Sequence, residues 1–214
     1  MTFLVVVLGW VFSLSLHEFS HSIVAYMGGD ITVRDKGYLT FNPLKYTDPV
    51  LSLLLPLLFL LLGGIGLPGG AVYIETWRLR SRNWQTAVSL AGPVSNLVLA
   101  FILGLVFRFA PVSTSGIWPG LAFLALLQVT AALFNLLPVP PFDGYGAIRP
   151  HLPPQAQEAM NAFGQFSMWL VLLVFWYVPL VGNGFWMLVG WIAQWLGIPL
   201  SLAGMGQQLF TFWR

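Results

Sequence analysis

Residues 3–27 read FLVVVLGWVFSLSLHEFSHSIVAYM, an apolar run whose only acidic or imidazole side chains are His17, Glu18 and His21. As a helix rising 1.5 Å per residue it is about 37 Å long. That exceeds the roughly 30 Å hydrocarbon core of a bilayer, so the run is expected to span a membrane. Within it, two His at i and i+4 lie about 40° apart in azimuth and about 6 Å apart along the axis. Both imidazoles can reach one metal ion, and Glu18 between them stands beside the place of a nucleophilic water. This is the H-E-x-x-H arrangement of zinc hydrolases. An ionisable group at the centre of a membrane helix costs about 2.5–3.5 kcal/mol on insertion scales. Three together need a partner, and a zinc ion would satisfy both rings and neutralise the acid. An isolated His is otherwise more often a satisfied core residue.

Composition agrees with a membrane setting. Hydrophobic residues make up 57% of the 214 and charged residues 7%, against about 25% charged in a soluble domain. Mean hydropathy is +0.81. Ten Trp and seventeen Phe suit a lipid boundary. The formal charge is +2. No basic run suggests nucleic acid as a partner, and Arg78, Arg80 and Arg82 read as a topology signal flanking an apolar segment. The chain has no Cys, which excludes disulfides and Cys metal sites. No basic residue precedes the first apolar run, so that helix is expected to be retained and not cleaved as a signal peptide.

Further uncharged runs cover 50–66, 86–107 and 117–137, and from Ala159 to Trp213 no charge occurs. The last stretch is expected to form helices at 163–180 and 184–198, parted by Pro179, Gly182 and Gly184. The 50–66 run is short, contains Pro56 and ends in glycines; a re-entrant segment puts the basic loops on either side of it in one compartment. Short β pieces are expected in DITVRD at 30–35, GYLTF at 37–41 and GGAVYIETW at 69–77. The fold class is thus an all-α polytopic membrane protein, with about five to six transmembrane or re-entrant segments and short membrane-associated β pieces. A single membrane-embedded domain is expected over 1–214, with a core at 1–150 and C-terminal helices at 159–214.

Catalytic zinc usually takes three protein ligands and leaves a fourth position open. Asp30, Asp35, Asp48, Glu75 and Glu158 sit in polar loops, and His151 in a Pro-rich loop reads as solvated. Asp143 follows an uncharged helix in Asn135-Leu-Leu-Pro-Val-Pro-Pro-Phe-Asp143-Gly144, with no cation within five positions. Alone, Asp-Gly would be a turn. Beside a zinc site short of one ligand, Asp143 is the favoured third ligand.

HEFSH in the first helix and NLLPVPPFDG after a later one together resemble the site-2 protease family of intramembrane zinc metalloproteases. LAGPVSN at 90–96 and GYLTFNPLKYTDP at 37–49 are similar to that family's intervening segments. The resemblance covers roughly residues 9–150. It implies one Zn²⁺ per chain on His17, His21 and Asp143, Glu18 as catalytic base, and Asn135 as a residue holding substrate or oxyanion. Asn96 and Gly92 match the intervening-helix motif, and Asn96 is carried over as a substrate-contact candidate. It also implies a transmembrane protein as substrate, contact with membrane lipid, and a multi-pass cell-membrane location with the site opening toward the cytoplasm. Tyr145 departs from the family pattern, in which a second Gly is frequent. LPGGAVYIE at 67–75 replaces a more Pro- and Asn-rich stretch, and no PDZ insertion is present. The competing readings are a metal-binding membrane transporter, a catalytically inactive homologue and a prenyl-protein protease. Glu18 favours hydrolysis over transport, and PPFDG argues against the prenyl-protein proteases.

Overall fold

The computed structural model describes residues 1–46, 58 and 72–211. The 50–66 segment, apart from residue 58, lies outside the described residues, as do the first residues of the third β candidate. Helix α1 runs Thr2–Gly28, and a short turn of helix, α2, covers Thr32–Asp35. Then come α3 (Arg82–Phe109), α4 (Trp118–Asn135) and a short α5 (Asp143–Ile148). Helices α6 (Pro154–Tyr177), α7 (Pro179–Trp195) and α8 (Leu200–Phe210) follow. Helices α1, α3 and α4 are each long and apolar enough to cross a membrane, and bent helix pairs raise the number to as many as five.

Helix α4 is the hub. Its apolar window is 78% buried, against 44% for α1 and 33% for α3. On one side Phe123, Leu124 and Leu127 pack with Val6, Trp10 and Leu14 of α1 and Phe210 of α8. On another, Ala125 and Val129 pack with Ala100 of α3 and Val189 and Ala193 of α7. The outside stays apolar. Leu4, Leu8 and Phe12 form an exposed i, i+4, i+8 stripe on α1, and Trp169, Trp176, Trp191 and Trp195 are exposed on α6 and α7. So much apolar surface facing outward fits lipid and not water. The protein is a membrane protein.

Two expectations are corrected. Among the described residues there is no strand. The β-branched run after Asp30 becomes a turn of helix because the Asp30 carboxylate accepts the Thr32 N–H at 3.1 Å and its hydroxyl at 2.6 Å, which folds the chain into an Asx-type turn ahead of it. Residues 37–41 follow a turn: Gly37 has φ +75°, and the Tyr38 N–H returns to the Val33 carbonyl. Residues 72–75 form neither helix nor strand. The C-terminal stretch holds three helices. Helix α6 starts at Pro154 but bends by 71° between Gly164 and Phe166, so that Phe166–Tyr177 falls within the expected 163–180 helix and Pro154–Gly164 precedes it. The break after it comes at Val178, because Pro179 fits the first position of α7. Gly182 and Gly184 lie inside that helix. Gly197 at φ +81° then ends it, and α8 turns away by 117°.

Asp30 also joins distant parts of the chain. Fully buried, it accepts the Glu75 N–H at 2.8 Å, while the Arg80 N–H donates to the Gly28 carbonyl. Residues 72–80 are thereby tied to the end of α1. Asp30→Ala strands three donors, two of them backbone, and each unsatisfied buried donor costs about 1–3 kcal/mol. The expected outcome is a melting temperature lowered by several degrees in detergent, with Asp30→Asn less affected because its oxygen still accepts.

Candidate metal centre

The centre is built where α1 crosses α3. Ser13, His17, His21 and Ala25 recur every four residues along α1, as Val88, Gly92, Asn96 and Ala100 do along α3, and all eight are buried. Rows at this spacing form helix ridges that pack into one another. Gly92 sits where the two imidazoles lie; a methyl group there would overlap Nε2 of both His17 and His21. The absent side chain is the space the rings occupy.

Each ring is fixed from behind. The His17 Nδ1–H donates to Asn96 Oδ1 at 2.6 Å, and the His21 Nδ1–H donates to the Val88 carbonyl at 2.6 Å. Both Nε2 atoms therefore turn their lone pairs forward. Metal-ligating His characteristically gives its other N–H to such a partner.

Asp143 arrives from the far side as the first residue of α5, not as a hairpin turn. Phe142 before it is buried against Phe134, Leu137, Met168 and Phe175, and the Ser167 hydroxyl donates to the Pro140 carbonyl. Gly144 after it packs directly on the Leu136 carbonyl, where any side chain would clash. The Thr86 hydroxyl donates to the Ala147 carbonyl at 2.7 Å, holding α5 on α3.

The result is a triangle. Asp143 Oδ2 lies 3.2 Å from His17 Nε2 and 3.4 Å from His21 Nε2, and the two Nε2 atoms are 3.0 Å apart. A tetrahedral zinc with bonds of 2.0–2.1 Å requires ligand atoms about 3.3 Å apart. The donor set and its spacing thus fit zinc. Asp143 is the most open of the three, its side chain 23% exposed against 8% and 7% for the two His.

The other expected residues fall around this triangle. Glu18 is 2% exposed. It interacts electrostatically with all three ligands and takes a backbone hydrogen bond from Val72. Asn96 stands behind His17, and its amide nitrogen donates to Gln128 Oε1 at 2.7 Å. Asn135, 6% exposed, ends α4 with an amide that makes no hydrogen bond to any described residue and is not sealed from the surface; the end of α4 is closed by backbone bonds alone. His151 is exposed and donates to the Thr86 hydroxyl, away from the triangle.

Sequence reading passed over Gln128 and Tyr46. The Tyr46 hydroxyl lies 2.9 Å from the Ser15 carbonyl and 3.0 Å from that of Thr40, and donates between them. Burial, and then the Glu18 carboxylate, push this phenol above its usual range, so it remains a donor. For Gln128 a signal existed: it lies seven residues before Asn135, on the same face of an uncharged helix.

Comparison with known proteins agrees with the motifs. Over 212 residues, covering 99% of this chain and 81% of the relative, the sequence is 48% identical to "Putative zinc metalloprotease Rip2" of Mycolicibacterium smegmatis. The chain belongs to the site-2 protease family. Its identity to the Rip2 protein of Mycobacterium tuberculosis is 46% over 213 residues, 99% of this chain and 81% of that one. To "Putative zinc metalloprotease YwhC" of Bacillus subtilis it is 34% over 194 residues, 87% and 85% of the two chains. No family profile matches the chain, and no solved structure does. The departure from the family pattern at Tyr145 has a structural counterpart: the Tyr145 hydroxyl donates to Asn161 Oδ1 at 3.2 Å, pinning α5 to α6.

The centre is expected to carry about one zinc per chain by elemental analysis, falling below about 0.2 in Gly92→Ala, where the added methyl displaces both imidazoles.

Proposed function

We propose that this chain is an intramembrane zinc endopeptidase that hydrolyses a peptide bond in or near the transmembrane helix of another membrane protein. The observation that carries the reading is the ligand triangle on a membrane-length helix, with Glu18 one residue from His17. A multi-pass location in the cell membrane with access from the cytoplasmic side goes with it.

Bound at His17, His21 and Asp143, zinc supplies a Lewis acid that lowers the pKa of water toward ≈ 7 and polarises a carbonyl. Glu18 takes the proton from the attacking water and delivers it to the leaving nitrogen. Its burial beside the ligands and the hydrogen bond from Val72 hold it for that exchange. The unpaired Asn135 amide is free to donate to the substrate carbonyl as charge develops on its oxygen. A helical substrate hides its carbonyls in internal hydrogen bonds and has to unwind first. Residues 72–75, outside any helix and reaching Glu18 at Val72, offer backbone groups beside the centre with which an unwound strand pairs.

The direct test is cleavage of a single-span helix in detergent, with and without a zinc chelator. Glu18→Gln is expected to abolish turnover while zinc content stays at the parental level, because the base is lost and the ligands remain. Near-normal turnover in that variant removes Glu18 as the base and favours a transport role for the metal.

Asn135→Ala is expected to lower kcat by about 10²–10³, the loss seen on removing one oxyanion donor, with zinc content and melting temperature unchanged. A lower melting temperature with normal turnover per folded molecule assigns Asn135 a structural role instead.

A further inference from the structure

Behind His17 the hydrogen bonds do not stop at Asn96. The Asn96 amide nitrogen donates to Gln128 Oε1 at 2.7 Å, and Gln128 Nε2 donates to Ser13 Oγ at 3.1 Å. The Ser13 hydroxyl donates to the Trp10 carbonyl at 2.9 Å. The relay leaves α1 at His17, crosses α3 and α4, and returns to α1 one turn earlier. Ser13, Asn96 and Gln128 are 1%, 3% and 0% exposed, so bulk water takes no part.

The direction of this relay matters. A carboxamide has two ends of nearly equal size, and Asn96 could turn either toward His17. If the nitrogen faced the ring, Nδ1 would have to accept, Nε2 would carry the proton, and His17 would lose its ligand lone pair. The Trp10 carbonyl can only accept, so the Ser13 proton points to it and the Ser13 lone pairs face Gln128. Gln128 must then present nitrogen to Ser13 and oxygen to Asn96. Asn96 in turn gives its nitrogen to Gln128 and its oxygen to His17. The far end of the relay thus agrees with the requirement at the metal end.

We propose that Gln128 is a positioning residue for the metal centre: it holds the Asn96 amide in the orientation that leaves the His17 Nε2 lone pair facing His21 and Asp143. The proposal rests on the zinc reading above and adds a residue that neither touches the metal nor faces the substrate. An apolar residue at 128 would leave the Asn96 nitrogen unpaired, and the amide would be free to turn.

Two substitutions separate this role from simple packing, because the two roles predict opposite orders. Gln128→Met fills similar volume but cannot accept from Asn96. Gln128→Glu accepts from Asn96 in either protonation state. Positioning predicts that the Met variant releases zinc to excess chelator about tenfold faster or more, the effect usual for loss of such outer partners, while the Glu variant stays within about threefold of the parent. Packing predicts that Met is tolerated and that the buried acid is not. A second readout needs no metal: in zinc-free protein labelled with ¹⁵N-histidine, the His17 Nδ1 proton should be present in the parent and the Glu variant and depleted in the Met variant. Zinc retention in folded Gln128→Met at the parental level overturns the proposal, as does loss of zinc from a folded Gln128→Glu. If the parent binds no zinc yet shows the Nδ1 proton, and Gln128→Met depletes it, the zinc reading fails and the relay stands.

Discussion

The structure turns on two imidazole N–H groups that have no water to bond. Each His at the α1–α3 crossing must give its Nδ1 proton to something if its Nε2 is to bind a metal, and at membrane depth only protein can accept it. Helix α3 provides the two acceptors, the Asn96 side chain and the Val88 backbone carbonyl, eight residues apart along one face. Gly92 lies midway between them and clears the space for the rings. These positions have to occur together: a side chain at 92 or a lost acceptor on either side would turn the ligands away from their common point. The resulting demand for register explains why α1 and α3 pack along their four-residue rows.

The same demand reaches α4. Asn96 can serve His17 only if its own nitrogen is satisfied, and that places a polar residue in α4, the most buried of the three described membrane-length helices. Burying an unpaired amide costs several kcal/mol, whereas a complete network costs little. Gln128 and Ser13 complete it. Around this polar thread the packing is apolar: Trp10, Leu14, Phe123 and Leu127 close it on one side, and Ala100, Ala125 and Val129 on another. The thread stays dry because of that packing.

The parts that sequence revealed are those in which chemistry conflicts with environment. His17, Glu18 and His21 stand out because no other acid, base or imidazole occurs in 25 residues, and Asp143 because it has no neighbouring cation. The long spans followed from uncharged length. What was not legible depended on partners far away in sequence. The β-branched residues after Asp30 suggest a strand, but a buried carboxylate bonded to residue 75 decides for a turn of helix. Gly182 and Gly184 look like breaks, yet they lie within α7, while Pro179 alone starts it. Gln128 carries no charge, so no conflict of charge with environment marks it, although it is as fully buried as the His ligands are.

Helix α4 joins the two halves of the site. Gln128 and Asn135 lie seven residues apart, nearly two full turns, so they occupy one face about 10.5 Å apart along the axis. The first has both ends of its amide engaged, toward Asn96 and Ser13; the second has neither engaged among the described residues. A satisfied amide in the core fixes geometry, and an unsatisfied one retains its capacity to bind. Immediately beyond Asn135, Leu136 offers its carbonyl to the close approach of Gly144, which sets Asp143 against the two His. One rigid helix therefore orients a ligand through Gln128, presents a free donor at Asn135, and through the loop after it delivers the third ligand. A shift of α4 along its axis would disturb all three at once, which accounts for its being packed on every side by α1, α3, α7 and α8.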